Sequence, residues 1–284
     1  MSFKQTLGLH LRLKDSLSAL VQEASVLGLS CIQFFLVEQK EHQYVPITAK
    51  DRQTFLAARE SFLRNVFIHS SYWINPASHK KEVFSLSRTL LRRELRVAAS
   101  LEVPYVVLHA GSSKGHIATP EDPLAKRRGL ETVAKMLNMV LKREQKVTIL
   151  LENAAHGKRT LGNDLQDFLI LKNLLDAPEK VQYCLDTAHA FSYGYDVAKT
   201  TKFLDFVDET MGFSNIKLIH LNDAEHALGS LQDRHAFPGQ GSLGKEALLP
   251  FLHHPAFKKL PKIVEAPAAG KQTLLDNLAD LAGW

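Results

Sequence analysis

The sequence predicts an α/β fold: a single (β/α)8 barrel of the TIM type, occupying residues 1–284 as one domain. Three observations carry that expectation. The chain has 284 residues, about the length of one such barrel. Eight short, nearly continuous apolar runs alternate with amphipathic segments, as expected for parallel strands buried on both faces and joined by covering helices. No linker, repeat or low-complexity tract separates two zones of composition.

The runs are TLGLHL (about 6–11), CIQFFLV (31–37), NVFIHS (65–70), YVVLHA (105–110), VTILLEN (147–153), VQYCLDT (181–187), IKLIHLND (216–223) and KIVEAP (262–267). Between them, segments such as KEVFSLSRTLLRRELRVAASLE and PLAKRRGLETVAKMLNMVLKREQ repeat apolar residues at helical spacing, with charge on the opposite face. The stretch SRTLLRRELR is expected to be a solvated helix face.

Composition excludes several classes. The hydrophobic fraction is 45% and the charged fraction 23%, ordinary for a globular chain that buries a large core. The opening MSFKQTLGLHLRLKDSL carries charge every few residues and has no apolar signal-peptide core. The longest nearly apolar run, LGLSCIQFFLV, is too short to cross a bilayer. A cytoplasmic protein is expected, nucleoid-associated if bacterial. Cys31 and Cys184 form no disulfide framework and no paired-cysteine metal motif, and both lie in apolar runs where a buried, inert thiol is expected. The formal charge of +5 and a pI near 9.1 hint at a polyanionic partner, and the hint gains weight only where basic residues lie beside the chemistry.

The informative feature is what each strand ends with. The third ends at His69, the fourth at His109, the fifth at Glu152, the sixth at Asp186, the seventh at His220 and the eighth at Glu265. In this barrel all C-terminal strand ends open onto one mouth, so these side chains converge. His189 lies just beyond the sixth strand. Asp233 and His235, in LQDRHAFPGQGSLG, follow the seventh; in an extended segment they project to one side. A lone strand-end acid often caps the next helix, and His10, His79 and His253 are expected to be surface or satisfied core histidines. Nine candidates at one rim call for a shared purpose.

Five histidines and four carboxylates exceed what one zinc ion takes. The all-nitrogen-and-oxygen set suits Zn²⁺ or Mn²⁺, and with one bridging carboxylate it would hold two or three ions. Such clusters carry out in-line displacement at phosphorus. Lys114 in SSKG, Lys158 and Arg159 in HGKRT, and Arg234 in DRH fall on mouth loops and are candidate phosphate contacts.

The blocks HSSYWIN, LHAGS, LLENAAHGKRTLG, CLDTAHAFSYGYD, HLNDAEHALGSLQDRHAFPGQGSLG and VEAP, in that order, make the chain resemble the endonuclease IV-type apurinic/apyrimidinic (AP) endonucleases. The resemblance covers most of the chain. It implies a DNA base-excision-repair hydrolase with three zinc ions. Such an enzyme cuts double-stranded DNA 5′ to an abasic site, leaving a 3′-hydroxyl and a 5′-deoxyribose phosphate. For this chain a monomer is expected. It implies that His69, His109 and Glu152 hold one ion, that Glu152 bridges to a second held by Asp186, His220 and Glu265, and that His189, Asp233 and His235 hold the third. Glu152, Asp186, Glu265 and His235 would thereby serve catalysis, with activated water attacking phosphorus between the bridged ions and the third ion at the phosphate and the departing 3′-oxygen. Tyr72 and Trp73 of SSYWIN would face exposed bases, and Lys40 stands nearest to a usual arginine.

The chain also departs from the family. Lys14 and Asp15 occupy a loop where glycines are usual, VEQKEHQY replaces a basic loop, and alanines stand in LHAGS and DTAH where proline and cysteine are common. Two other readings compete. A sugar isomerase or epimerase on this barrel would use Glu152, Asp186, His220 and Glu265 around a single metal, leaving the other five candidates idle. A lesion-binding protein without catalysis would keep the recognition surface alone.

Overall fold

In a computed structural model, which describes residues 6–38, 43–113, 123–157, 159–265 and 270–284, the expected eight strands close into a parallel barrel. In chain order the strands are β1 (Leu7–Leu11), β2 (Cys31–Phe35), β3 (Val37–Glu38), β4 (Gln43–Tyr44), β5 (Asn65–His69), β6 (Tyr105–His109), β7 (Thr148–Glu152), β8 (Val181–Asp186), β9 (Ile216–His220), β10 (Asp223–Ala224), β11 (His235–Ala236) and β12 (Lys262–Val264). The barrel runs β1-β2-β5-β6-β7-β8-β9-β12 and back to β1. The other four strands pair as two small two-stranded sheets, β3 with β4 and β10 with β11. The helices are α1 (Leu17–Val26), α2 (Ala49–Ser61), α3 (Lys81–Ser100), α4 (Pro123–Leu141), α5 (Gln166–Leu174), α6 (Thr187–Tyr193), α7 (Thr200–Thr210), α8 (Gly244–His253) and α9 (Lys271–Leu281). Among the described residues, no helix is long and apolar enough to cross a membrane.

Strand alternation builds the interior in layers. Phe67, Val107, Leu150, Cys184, Leu218 and Ile263, with Cys31, form one fully buried cluster inside the barrel. Each of the first six stands two residues before a strand-end candidate: His69, His109, Glu152, Asp186, His220 and Glu265. Side chains at i and i+2 share a face, so the apolar layer is a floor and the polar rim stands directly on it. Register levels the rim: Phe35 pairs with His69, His109 with Glu152, and Asp186 with His220, the last after a shift at Tyr183/Cys184. Gly8 admits the close approach of β1 to β2, since a Cβ there would meet the Cys31 carbonyl oxygen. Both cysteines are free and buried, and burial pushes the Cys184 thiol up to about 12.

The second core lies between sheet and helices, where Phe34, Phe55, Phe168, Phe251 and Phe257 are fully buried; each such side chain contributes about 1.5–3 kcal/mol. At the far end of the barrel, Lys262 is buried, and its Nζ donates to the carbonyls of Phe257 (2.6 Å) and Leu260 (2.9 Å).

One expectation is corrected here. SRTLLRRELR is not simply a solvated face. Leu91, Leu95, Ser87 and Glu94 of α3 are all buried. Glu94 accepts from the Tyr44 hydroxyl at 2.8 Å and from the Ser71 backbone N–H at 3.3 Å, and burial pushes its carboxyl up to about 7. The polar side chain is inside because two distant elements supply its partners. Arg92 and Arg96 keep the expected role, sharing Glu144 at the surface.

Candidate metal centre

The rim side chains meet around Glu152. One oxygen, Oε2, lies 3.1 Å from His69 Nε2 and 3.4 Å from His109 Nε2. The other, Oε1, lies 2.9 Å from His220 Nδ1 and 3.3 Å from His189 Nδ1. Three groups place one ligand-type atom each within 4.8 Å of one another: His69, His109 and Glu152; Glu152, Asp186, His220 and Glu265; and Asp186, His189 and His235. Asp233 Oδ1 joins the third group at 3.2 Å from both His189 Nε2 and His235 Nε2. Asp233 and His235 therefore converge, as the extended geometry of their segment requires.

Local structure orients each group. The His69 Nδ1 atom lies 2.9 Å from its neighbour's carbonyl, Ser70 O, leaving Nε2 toward Glu152. Asp186 caps α6 by accepting from His189 N–H through Oδ1 at 2.7 Å, and its Oδ2 accepts from Asn222 Nδ2 at 2.6 Å. Helix capping and a role in the cluster thus coexist in one carboxylate. Asn222 also accepts from the Glu265 backbone N–H at 2.8 Å. His189 Nδ1 lies 2.8 Å from the Asn153 carbonyl.

The charge pattern is unusual for a structural network. Glu152 and Asp186 are wholly buried. Among the described residues, every ion pair made by Glu152, Asp186, Asp233 and Glu265 is with a histidine. Burial raises the Asp186 pKa. Burial also pushes Glu152 up, but His109 and His220 outweigh it and hold the carboxyl well below its usual range. Burial works downward for both His220 and His189; Cys184, then Glu265 and Glu152, reverse it for His220, and Asp186 and Asp233 for His189, leaving both well above an ordinary imidazole. Burial lowers His109 to about 4, and among the described residues its Nδ1 has no hydrogen-bond partner. Buried carboxylates without lysine or arginine need compensating positive charge, and nitrogen-plus-oxygen donors at this spacing suit divalent zinc or manganese.

The loop carrying Asp233 and His235 is shaped by Asp223. Its buried carboxylate accepts from the backbone N–H groups of Ala224, Gly239, Gly241, Leu243 and Gly244 at 2.8–3.1 Å. Gly239 and Gly244 have φ of +82° and +75°, which only glycine adopts readily. Asp223→Ala orphans these donors, with an expected loss of at least about 3 kcal/mol. Calorimetry should show this as a melting temperature roughly 6–12 °C lower; an unchanged melting temperature would show that the loop is held otherwise.

A cavity of about 570 Å³ opens above the cluster, lined by His10, Arg12, Phe35, Tyr72 and Arg234 as well as His69, His109, His189 and His235. Arg234 faces this mouth. Tyr72 is 63% exposed, with its ring 5.1 Å from that of Phe35, whereas Trp73 is half-buried. Arg159 is half-buried and does not line the cavity. Lys40, Lys114 and Lys158 lie outside the described residues. Lys14 and Asp15 are exposed and have ordinary negative φ, so the loop needs no glycine there.

His10 corrects a second expectation. It is neither a surface nor an ordinary core histidine: its Nδ1 lies 3.1 Å from Glu265 Oε1 and 2.9 Å from Gln33 Nε2. His79 is exposed, and His253 is exposed near the chain end, 3.2 Å from the Trp284 carbonyl. Gln33, Asn222 and Arg12 were not anticipated either. The signal for two of them was present, since His10 and Gln33 sit two residues after Gly8 and Cys31, on the face and layer of the rim.

Barrel and rim together define the class: the chain belongs to the Xylose isomerase-like TIM barrel family, which it matches over residues 21–283. Within that class it is a member of the endonuclease 4 family. It is 32% identical over 264 residues to the Probable endonuclease 4 of Heliobacterium modesticaldum, covering 92% of each chain. To that of Natranaerobius thermophilus it is 31% identical over 280 residues, covering 97% and 96%. The crystal structure of endonuclease IV from Thermus thermophilus superposes with a TM-score of 0.83 at 31% identity over 98% of each chain. A D-tagatose 3-epimerase-like protein shares the fold at a TM-score of 0.73 and 17% identity.

Proposed function

We propose that this chain is a metal-dependent endonuclease that hydrolyses the phosphodiester 5′ to abasic sites in double-stranded DNA. The observation that carries the reading is the double use of Glu152, whose two oxygens face two separate histidine groups. In this reading His69, His109 and Glu152 hold one ion; Glu152, Asp186, His220 and Glu265 a second; and His189, Asp233 and His235 a third, with Asp186 close to the last. Bound zinc, or manganese at some positions, supplies Lewis acidity and a nucleophile drawn from water at neutral pH.

The chain's own residues do the rest. The buried carboxylates would hold the cations that meet the phosphate, and the half-open His109, His235 and Glu265 border the side from which it comes. Arg234 meets phosphate at the mouth, and exposed Tyr72 offers a ring to a displaced base, with stacking worth about 1–3 kcal/mol. The single-metal isomerase reading employs only one of the three groups and leaves His69, His109, His189, Asp233 and His235 without a task.

The test is a duplex oligonucleotide bearing one tetrahydrofuran abasic analogue, which cannot undergo β-elimination. The expected product is a nick on the 5′ side with an extendable 3′-hydroxyl, lost with chelator and in His235→Ala. Intact DNA in the presence of protein with full metal content would overturn the reading. Tight binding without a nick would then indicate lesion recognition alone.

A further inference from the structure

We infer that Gln33 is a positioning residue whose single side-chain amide selects which atoms of His220 and Glu265 are left free to hold a metal ion. The inference rests on the metal-site reading above. Gln33 is wholly buried in mid-β2. Its Oε1 lies 2.9 Å from His220 Nε2, and its Nε2 donates to Glu265 Oε1 at 2.9 Å. A carbonyl oxygen can only accept, so His220 must carry its proton on Nε2. Nδ1, the nitrogen 2.9 Å from Glu152 Oε1 and 3.3 Å from Glu265 Oε2, is then the one that gives up its proton and offers a lone pair when an ion binds. An amide NH₂ can only donate, so it occupies Glu265 Oε1 and leaves Oε2, the oxygen turned toward Asn222 Nδ2 at 3.2 Å.

Both selections point to the same place. The atoms left over, His220 Nδ1 and Glu265 Oε2, lie 3.3 Å apart, and their residues form one group with Glu152 and Asp186. The reversed amide would set its carbonyl against the Glu265 carboxylate at 2.9 Å, acceptor against acceptor, so Glu265 fixes the orientation. No apolar residue makes either bond, and a carboxylate at this position would repel Glu265. His10 of β1 packs against the same pair, its Nδ1 2.9 Å from Gln33 Nε2 and 3.1 Å from Glu265 Oε1.

The test reads metal rather than cleavage. Zinc-loaded wild type and Gln33→Met, a substitution of similar size, are challenged with a chromogenic chelator without DNA, and the released ions are counted against time. Removing a hydrogen-bond partner of a metal ligand typically weakens metal affinity 10–100-fold. One ion is therefore expected to leave the variant about 10–100 times more readily, with the others released as in wild type. Equal release from both proteins would overturn the inference while leaving the endonuclease reading intact. Nitrogen-15 NMR of the zinc-loaded wild type supplies a check that needs no variant. A hydrogen-bonded proton on His220 Nε2 is expected, and a proton on Nδ1 would overturn the inference even if Gln33→Met failed to fold. Neither readout depends on DNA cleavage, so a protein that fails to nick abasic DNA still decides the question.

Discussion

Glu152→Gln is expected to reduce DNA cleavage by at least about a thousandfold and to strip the protein of more than one ion. One carboxylate touches four histidines, with His69 and His109 on one oxygen and His220 and His189 on the other. The amide keeps a single acceptor and turns NH₂ hydrogens toward one histidine pair, so at least one ion loses its shared ligand and acquires a repulsive neighbour. A metal ion contributes several kcal/mol of transition-state stabilisation, and each 1.36 kcal/mol is tenfold in rate. Metal content by elemental analysis, measured beside the nicking rate, checks both halves. A variant with full metal content and near-normal rate would show that Glu152 is not the shared ligand.

Zinc loading of the metal-free protein is expected to expel protons, and apparent affinity should fall about tenfold per pH unit for each proton displaced. His189 and His220 are both held well above an ordinary imidazole, so at neutral pH both carry protons that zinc must displace. Two such groups give up to about a hundredfold per unit. The sign for stability follows from linkage. Raised histidines stabilise the metal-free fold fully below the ordinary imidazole pKa of about 6.5, and that contribution disappears as pH rises through their folded values. The lowered carboxylates Glu152, Asp233 and Glu265 act in the other window: their contribution is present above about pH 4 and is lost as pH falls further. As pH rises above about 6.5 the metal-free protein should therefore lose melting temperature while the zinc-loaded protein, freed of proton competition, gains it. Parallel curves in calorimetry would contradict this account.

Much of the molecule was legible in the sequence because two periodicities coincide. Apolar runs end in metal-type residues, so the rule that finds a strand also finds its rim. The positions that escaped did so for identifiable reasons. His10 is the last but one residue of β1, so attention to strand ends passes over it. Gln33 sits inside an apolar run, where a lone amide carries no pattern of its own. Glu94 hides in a charge-rich helix, and only the fold reveals that Tyr44 and Ser71 converge on it. Asp223 reads as the end of a strand-like run, while its five donors come mainly from a turn more than a dozen residues away. Long-range hydrogen bonding leaves no local trace in composition or spacing.

The apolar layer beneath the rim has a consequence for traffic. Phe67, Val107, Leu150, Cys184, Leu218 and Ile263 close the barrel below the cluster, and Lys262 is tied into the opposite end. Among the described residues the barrel thus opens at one end, and in the proposed reading water, ions, substrate and product share that doorway. A duplex lying across it would seal in whatever is already inside, so ions would have to arrive before DNA, and bound DNA would shield the centre from chelators.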